Sequence, residues 1–133
     1  GLEQIKEVYR QSLEAGEIMA IASTKGMFEA SSDLGEWYGD EIKKRDISFK
    51  EIATYASAQA EKEIKNKLTW QYEYRLLNKE YGDFQTDLLL WNDFVANITF
   101  EKPYFATVLQ SKTLAQTYNV LFRSLWDSCV SKP

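Results

Sequence analysis

The chain alternates short apolar runs with amphipathic stretches, and the period of each predicts its structure. Leu2, Ile5, Tyr9 and Leu13 recur at helical spacing while Glu3, Lys6, Glu7, Arg10 and Glu14 fill the opposite face. This predicts a helix over residues 2–14, with Gly16 placed to end it. Ile18, Met19, Ala20, Ile21 and Ala22 then follow almost unbroken, the pattern of a central strand covered on both faces. Asp33, Leu34, Trp37, Tyr38 and Ile42 begin a second amphipathic helix, with Ser32 as its N-cap and the basic triplet Lys43, Lys44 and Arg45 at its end. Gly35 and Gly39 weaken it. Ile47 and Phe49 alternate with polar neighbours over residues 47–54, and a strand, helix, strand order predicts a right-handed crossover to a parallel neighbour. Residues 57–67 offer Glu61–Lys65 and Glu63–Lys67 pairs at i, i+4 but few apolar anchors, which predicts an exposed, loosely held helix.

The second half changes character. Residues 72–77 read as a strand and 78–84 as a polar loop carrying Gly82. Residues 86–91 and 94–100 read as two strands joined by Asn92 and Asp93, residue types that tolerate the positive φ of a tight hairpin. A turn at 101–103 leads to a sixth strand over 104–109, and Ser111 is placed to cap a last helix running to about Cys129. Its Leu114, Tyr118, Leu121, Phe122, Leu125 and Trp126 form a wide apolar stripe that the sheet or another subunit must cover. The expected fold class is therefore α/β: a mixed sheet of about six strands flanked by helices, in a single domain.

With 133 residues the chain is long enough for one core and too short for two. Its 44% hydrophobic and 27% charged content is that of a globular protein, and no apolar run nears the roughly 20 residues of a membrane span, so a soluble domain with no membrane contact is expected. A net charge of −4 would repel a phosphate backbone, and the triplet at 43–45 is the one basic cluster, so nucleic-acid binding by this segment alone is not expected. A lone cysteine, Cys129, fits a reducing compartment, which points to the cytoplasm. The first element starts almost at residue 2 with no initiator methionine, so a fragment is expected, with Gly1 as a cleavage scar.

The run Tyr-Arg-Leu-Leu at 74–77, the hairpin at 85–100, the strand at 103–109 and the helix around Leu114–Trp126 together resemble a known type. They are similar to the C-terminal, phospholipase D-like domain of TrmB-type transcriptional regulators, in which a winged helix-turn-helix precedes such a domain. The similarity is one of pattern over residues 2–129, and no short motif within it is diagnostic. It implies an effector-binding and dimerisation domain, DNA contact made by an absent N-terminal domain, a homodimer, and a small-molecule effector such as a sugar or metabolite. Phospholipase D-like enzymes use His-x-Lys-x-x-x-x-Asp, with histidine as nucleophile and lysine stabilising the phosphoryl oxygens. Laid on this hairpin, those positions fall on Thr86, Leu88 and Asp93, so the aspartate alone matches. The chain has no histidine, so no enzyme activity is expected.

Other chemistries are as thin. Zinc sites and a Ser-His-Asp triad need residues the chain lacks, no Gly-rich phosphate loop is present, and Glu80 and Asp83 look solvated, so neither metal nor cofactor is expected. Six residues remain as candidate ligand contacts. Ser23, Thr24 and Lys25 follow the first strand, where open α/β sheets place their ligands. Thr86 is expected to face the inherited cleft. Arg75 and Asp87 are charges inside apolar strands, expected either to pair across adjacent strands or to anchor a small ligand. Trp91, Tyr104 and Trp126 could stack on a sugar or base, although core or interface packing is the commoner use. The alternative to a sensor is a degenerate phospholipase D-like scaffold for protein interaction, with no small ligand.

Overall fold

The first half of the chain alternates helix and strand, and the second half adds an antiparallel meander to the sheet. Residues 1–129 are described by the structure, a computed structural model. α1 (Leu2–Ser12) leads to β1 (Glu17–Ala22), α2 (Thr24–Ala30) and α3 (Ser32–Lys44) cross to β2 (Ser48–Ala53), and α4 (Ala58–Leu68) crosses to β3 (Tyr72–Leu76). β4 (Thr86–Trp91), β5 (Phe94–Thr99) and β6 (Phe105–Gln110) follow, and α5 (Lys112–Ser128) closes the domain. The six strands form one mixed sheet in the order β3-β2-β1-β4-β5-β6. β1, β2 and β3 run parallel, whereas β1–β4, β4–β5 and β5–β6 pair antiparallel. The α/β class, the mixed six-stranded sheet and the central place of β1 are as the hydrophobic pattern predicts.

Register sorts the side chains between two layers, because neighbours along a strand point to opposite faces. Ala20 aligns with Glu51 and with Leu89, Ala22 with Ala53 and with Asp87, and Phe49 with Tyr72, so these share one face. There they pack with Ile5 and Tyr9 of α1 and Leu34 and Tyr38 of α3 in the larger core. On the other face Ile52, Leu90 and Val95 meet Ala115 and Phe122 of α5. The apolar stripe of α5 is thus divided. Tyr118, Leu125 and Trp126 lean on that core, while Leu121, 55% exposed, and Leu114 stay on the surface, as do Phe105 and Leu109 of β6.

The hairpin forms as expected: β4 and β5 pair from Thr86–Thr99 to Trp91–Phe94, and Asn92 takes φ 48° in the two-residue turn. Two expectations need correction, and one element is added: the segment after β1 forms α2, capped by Ser23, whose hydroxyl accepts from the Gly26 amide. A Cβ at Gly26 would sit 2.5 Å from Gln85 Oε1 and 2.9 Å from that hydroxyl oxygen, so any side chain there would push against the cap. The cap of α3 is Ser31, one residue before the serine the pattern suggests, and its hydroxyl accepts from Leu34. Finally, α4 is not loosely held. Glu61 and Leu68 are buried, Lys65 donates to the carbonyls of Thr69 and Tyr72, and Lys67 pairs with Asp40 at 2.5 Å rather than with Glu63. Among the described residues no helix is long and apolar enough to cross a membrane.

Candidate functional site

A cavity of about 550 Å³ lies between α2, α3 and α4 and the face of the sheet beneath them. That is a size suited to a small molecule. Its floor is polar where a sheet face is ordinarily apolar. Glu51 of β2 and Asp87 of β4 are 6% and 2% exposed, and Glu61, fully buried, reaches down from α4 beside them.

Two hydroxyls bind the glutamates together. Thr24 Oγ1 lies 2.6 Å from Glu51 Oε2 and also contacts Glu61 Oε1; Tyr72 Oη lies 2.5 Å from Glu51 Oε2 and also contacts Glu61 Oε2. Each hydrogen bond needs one proton, and each hydroxyl carries one. Two hydroxyl protons serve two of the four contacts as two-centre bonds, and the other two call for protons on the carboxyls themselves. Burial drives the Glu61 pKa well above the ordinary carboxylate range, and the charge of Glu51 and a hydrogen bond shared with it push further the same way. The hydroxyls of Thr24 and Tyr72 oppose the shift and do not cancel it.

Asp87 makes a second buried site next to the first. Its Oδ1 accepts from the Ser23 amide at 3.0 Å and its Oδ2 from Tyr9 Oη at 2.5 Å. Burial and then the charge of Glu51 outweigh these two donors, so its pKa too is raised. Tyr9, Tyr38 and Tyr72 are pushed up mainly by burial and stay neutral donors. Ser12 donates to the Tyr9 carbonyl and so accepts from Tyr38 Oη at 2.6 Å. The tyrosine rings and Phe49 form one wall, in contact from Tyr9 through Tyr38 and Phe49 to Tyr72. The arrangement offers fixed hydrogen-bonding groups inside an aromatic enclosure. Among the described residues no cluster of three or more His, Cys, Asp or Glu is arranged to hold a metal ion.

Of the six residues singled out from sequence, Thr24, Lys25 and Asp87 line this cavity, and Ser23 sits just beneath it as helix cap and partner of Asp87. The other two lie elsewhere. Thr86 does not face the cleft: it neighbours Asp87 along β4, so its side chain emerges, exposed, on the opposite face. Arg75 and Asp87 do not pair, because β2 and β1 stand between their strands and the two side chains point to opposite faces. Arg75 instead donates to the Trp126 carbonyl at 2.5 Å and stacks over the Trp126 ring at 4.5 Å. It borders a wider depression of about 1060 Å³ at the end of α5, whose lining includes neither of the buried glutamates nor Asp87. None of Trp91, Tyr104 and Trp126 lines the cavity; Trp91 stacks on Phe94. Glu51, Glu61, Tyr72 and Tyr9 escaped the sequence reading. A glutamate at a helical or strand position reads as solvated, and the one available signal was Glu51 in the otherwise apolar close of β2.

No protein-family model matches the sequence, and no curated protein matches it. Among solved structures, the chain is similar to that of TrmBL2, an archaeal chromatin protein described as showing a novel mode of DNA binding. The two share 18% identity with a TM-score of 0.59 over 93% of this chain, which spans 48% of the other. At that identity the likeness establishes the fold.

Proposed function

We propose that this domain is a non-catalytic regulatory module of a TrmB-like transcriptional regulator, holding a small-molecule effector in the cavity beneath α2–α4 and acting as a cytoplasmic homodimer. The observation that carries this reading is the cavity itself, enclosed by aromatics and floored by buried groups whose positions are fixed by hydrogen bonds. Such preformed polar anchors in an apolar enclosure are what ligand sites share. The likeness to half of a DNA-binding chromatin protein supports a place in a larger regulator, whose DNA contacts this acidic segment would leave to another domain. An effector would act by binding one arrangement of the dimer more tightly than another. The chain lacks the histidine that phospholipase D-like catalysis needs, which supports binding rather than phosphodiester turnover.

A panel of sugars, nucleotides, amines and other metabolites tests this by thermal shift. An effector at about 100 times its dissociation constant should stabilise the domain by about 2.7 kcal/mol. Ala60→Trp, which places an indole among the residues lining the cavity, should abolish the response. No shift from any compound would contradict the reading. It would favour the alternative, a protein-interaction scaffold, which the exposed Phe105, Leu109, Leu114 and Leu121 support.

A further inference from the structure

Glu51 is the one buried carboxylate not fully used inside the protein. Both oxygens of Glu61 contact Thr24 or Tyr72, and both of Asp87 accept from Ser23 or Tyr9. On Glu51, Oε2 takes both hydroxyls while Oε1 accepts from no hydroxyl, amide or amine among the described residues. No fully shielded side-chain oxygen lacks a partner, so Oε1 keeps an opening, and the space Glu51 borders is the cavity. A residue more than nine-tenths buried therefore points an unpaired acceptor at an unfilled volume.

The charge of the wall says which donor suits it. Glu29, Glu36 and Glu63 join Glu51 and Asp87 around the cavity, against Lys25 and Lys67. Both lysines have partners of their own: Lys67 pairs with Asp40 at 2.5 Å and Lys25 with Glu29 at 4.0 Å. The space is thus acidic with no free cation in its lining. Its aromatic wall, with ring centroids 4.7, 6.1 and 5.7 Å apart in succession, presents π-faces and edges of the kind that hold alkylammonium groups.

We propose that the cavity takes an organic cation, an alkylammonium that donates N–H to Glu51 Oε1, lays its carbon chain on the aromatic wall, and displaces the carboxyl proton of Glu61. This rests on the reading of the cavity as an effector site and names the ligand class. The ammonium keeps its own protons; the displaced one leaves to solvent. Tyr72 from β3 contacts both glutamates, Tyr9 from α1, Tyr38 from α3 and Asp87 from β4 feel the charge of Glu51, and Lys25 of α2 with Glu63 and Lys67 of α4 line the same cavity. The tyrosines are held neutral by burial, so the carboxyls are the groups whose charge responds. Proton and ligand compete, and affinity rises with pH by about tenfold per unit for one proton displaced. An uncharged polyol would bind without proton release.

Calorimetric titration of the domain with 1,4-diaminobutane and with glucose, at pH 6, 7 and 8 and in two buffers of different ionisation enthalpy, distinguishes these. The diamine should bind with release of about one proton and the stated pH slope. Glu51→Gln should weaken it at least about tenfold and remove the proton release. If that variant does not fold, the wild-type pH and buffer series decides alone. Binding of glucose without proton release, with no response to the diamine, would overturn the cation proposal while leaving the effector cavity intact. Silence from both would overturn it as well, and the wider thermal-shift panel then decides separately whether the cavity holds any effector.

Discussion

The two faces of the sheet are made from the same six strands and follow opposite rules. On the α5 face Ile52, Leu90 and Val95 meet Ala115 and Phe122, and burial of apolar area does the stabilising. On the α1–α4 face the same strands put Glu51 and Asp87 under a helix that adds Glu61, where desolvation must be offset by hydrogen bonds. An apolar replacement of a buried ionisable pair commonly packs as well or better. The sequence nevertheless keeps three carboxyls on one face and none in the core of the other, and the cavity lies on the face that keeps them. Both faces hold the fold together, and the α1–α4 face alone adds buried carboxyls and a cavity to its apolar core.

Four substitutions probe that contrast. Phe122→Ala removes the largest buried side chain of the α5 face and should cost about 3–5 kcal/mol, read as a lower unfolding midpoint, with effector affinity unchanged in the folded fraction. Tyr72→Phe strips one of the two hydroxyls between the glutamates and should cost about 1–3 kcal/mol at pH 7, and less at pH 5, where the carboxyls carry more of their own protons. Glu61→Gln should act in the opposite direction at high pH. Because Glu61 and Asp87 have raised pKa values in the fold, their contribution to stability is complete below the ordinary carboxylate range and is lost as pH climbs through the raised values. The glutamine supplies amide protons without a charge, so denaturant titrations should find it about 1 kcal/mol more stable than the parent at pH 8 and without that advantage at pH 5. Thr86→Ala, exposed and on the other face, should change stability by less than about 0.5 kcal/mol and leave effector binding untouched.

What the sequence showed was what local rules determine. Asn92-Asp93 announced the hairpin because few residues tolerate the turn's positive φ, and the run from Ile18 to Ala22 announced a strand covered on both sides. The seven-residue α2 escaped because its start depends on the Ser23 cap and its fit on the absence of a side chain at Gly26, neither of which leaves a periodic pattern. Arg75 and Asp87 looked like partners because strand order, which separates them by two strands and a face, is a long-range property. The site was half legible for the same reason. Thr24 and Lys25, read from their place after a strand end, and Asp87, read as a charge inside an apolar strand, do line the cavity, whereas Glu61 was assigned to solvent by a helical period that takes every glutamate as surface, and here tertiary contacts with Thr24 and Tyr72 override it.

Chemical-shift mapping by NMR during titration with 1,4-diaminobutane, or with whichever panel compound stabilises the domain, tests most directly that the α1–α4 face is the binding face. The account predicts shifts concentrated at Thr24, Glu51, Glu61, Tyr72 and Asp87, with Leu109, Leu114 and Leu121 unmoved. Shifts gathered on α5 and β6, with the buried glutamates silent, would contradict it.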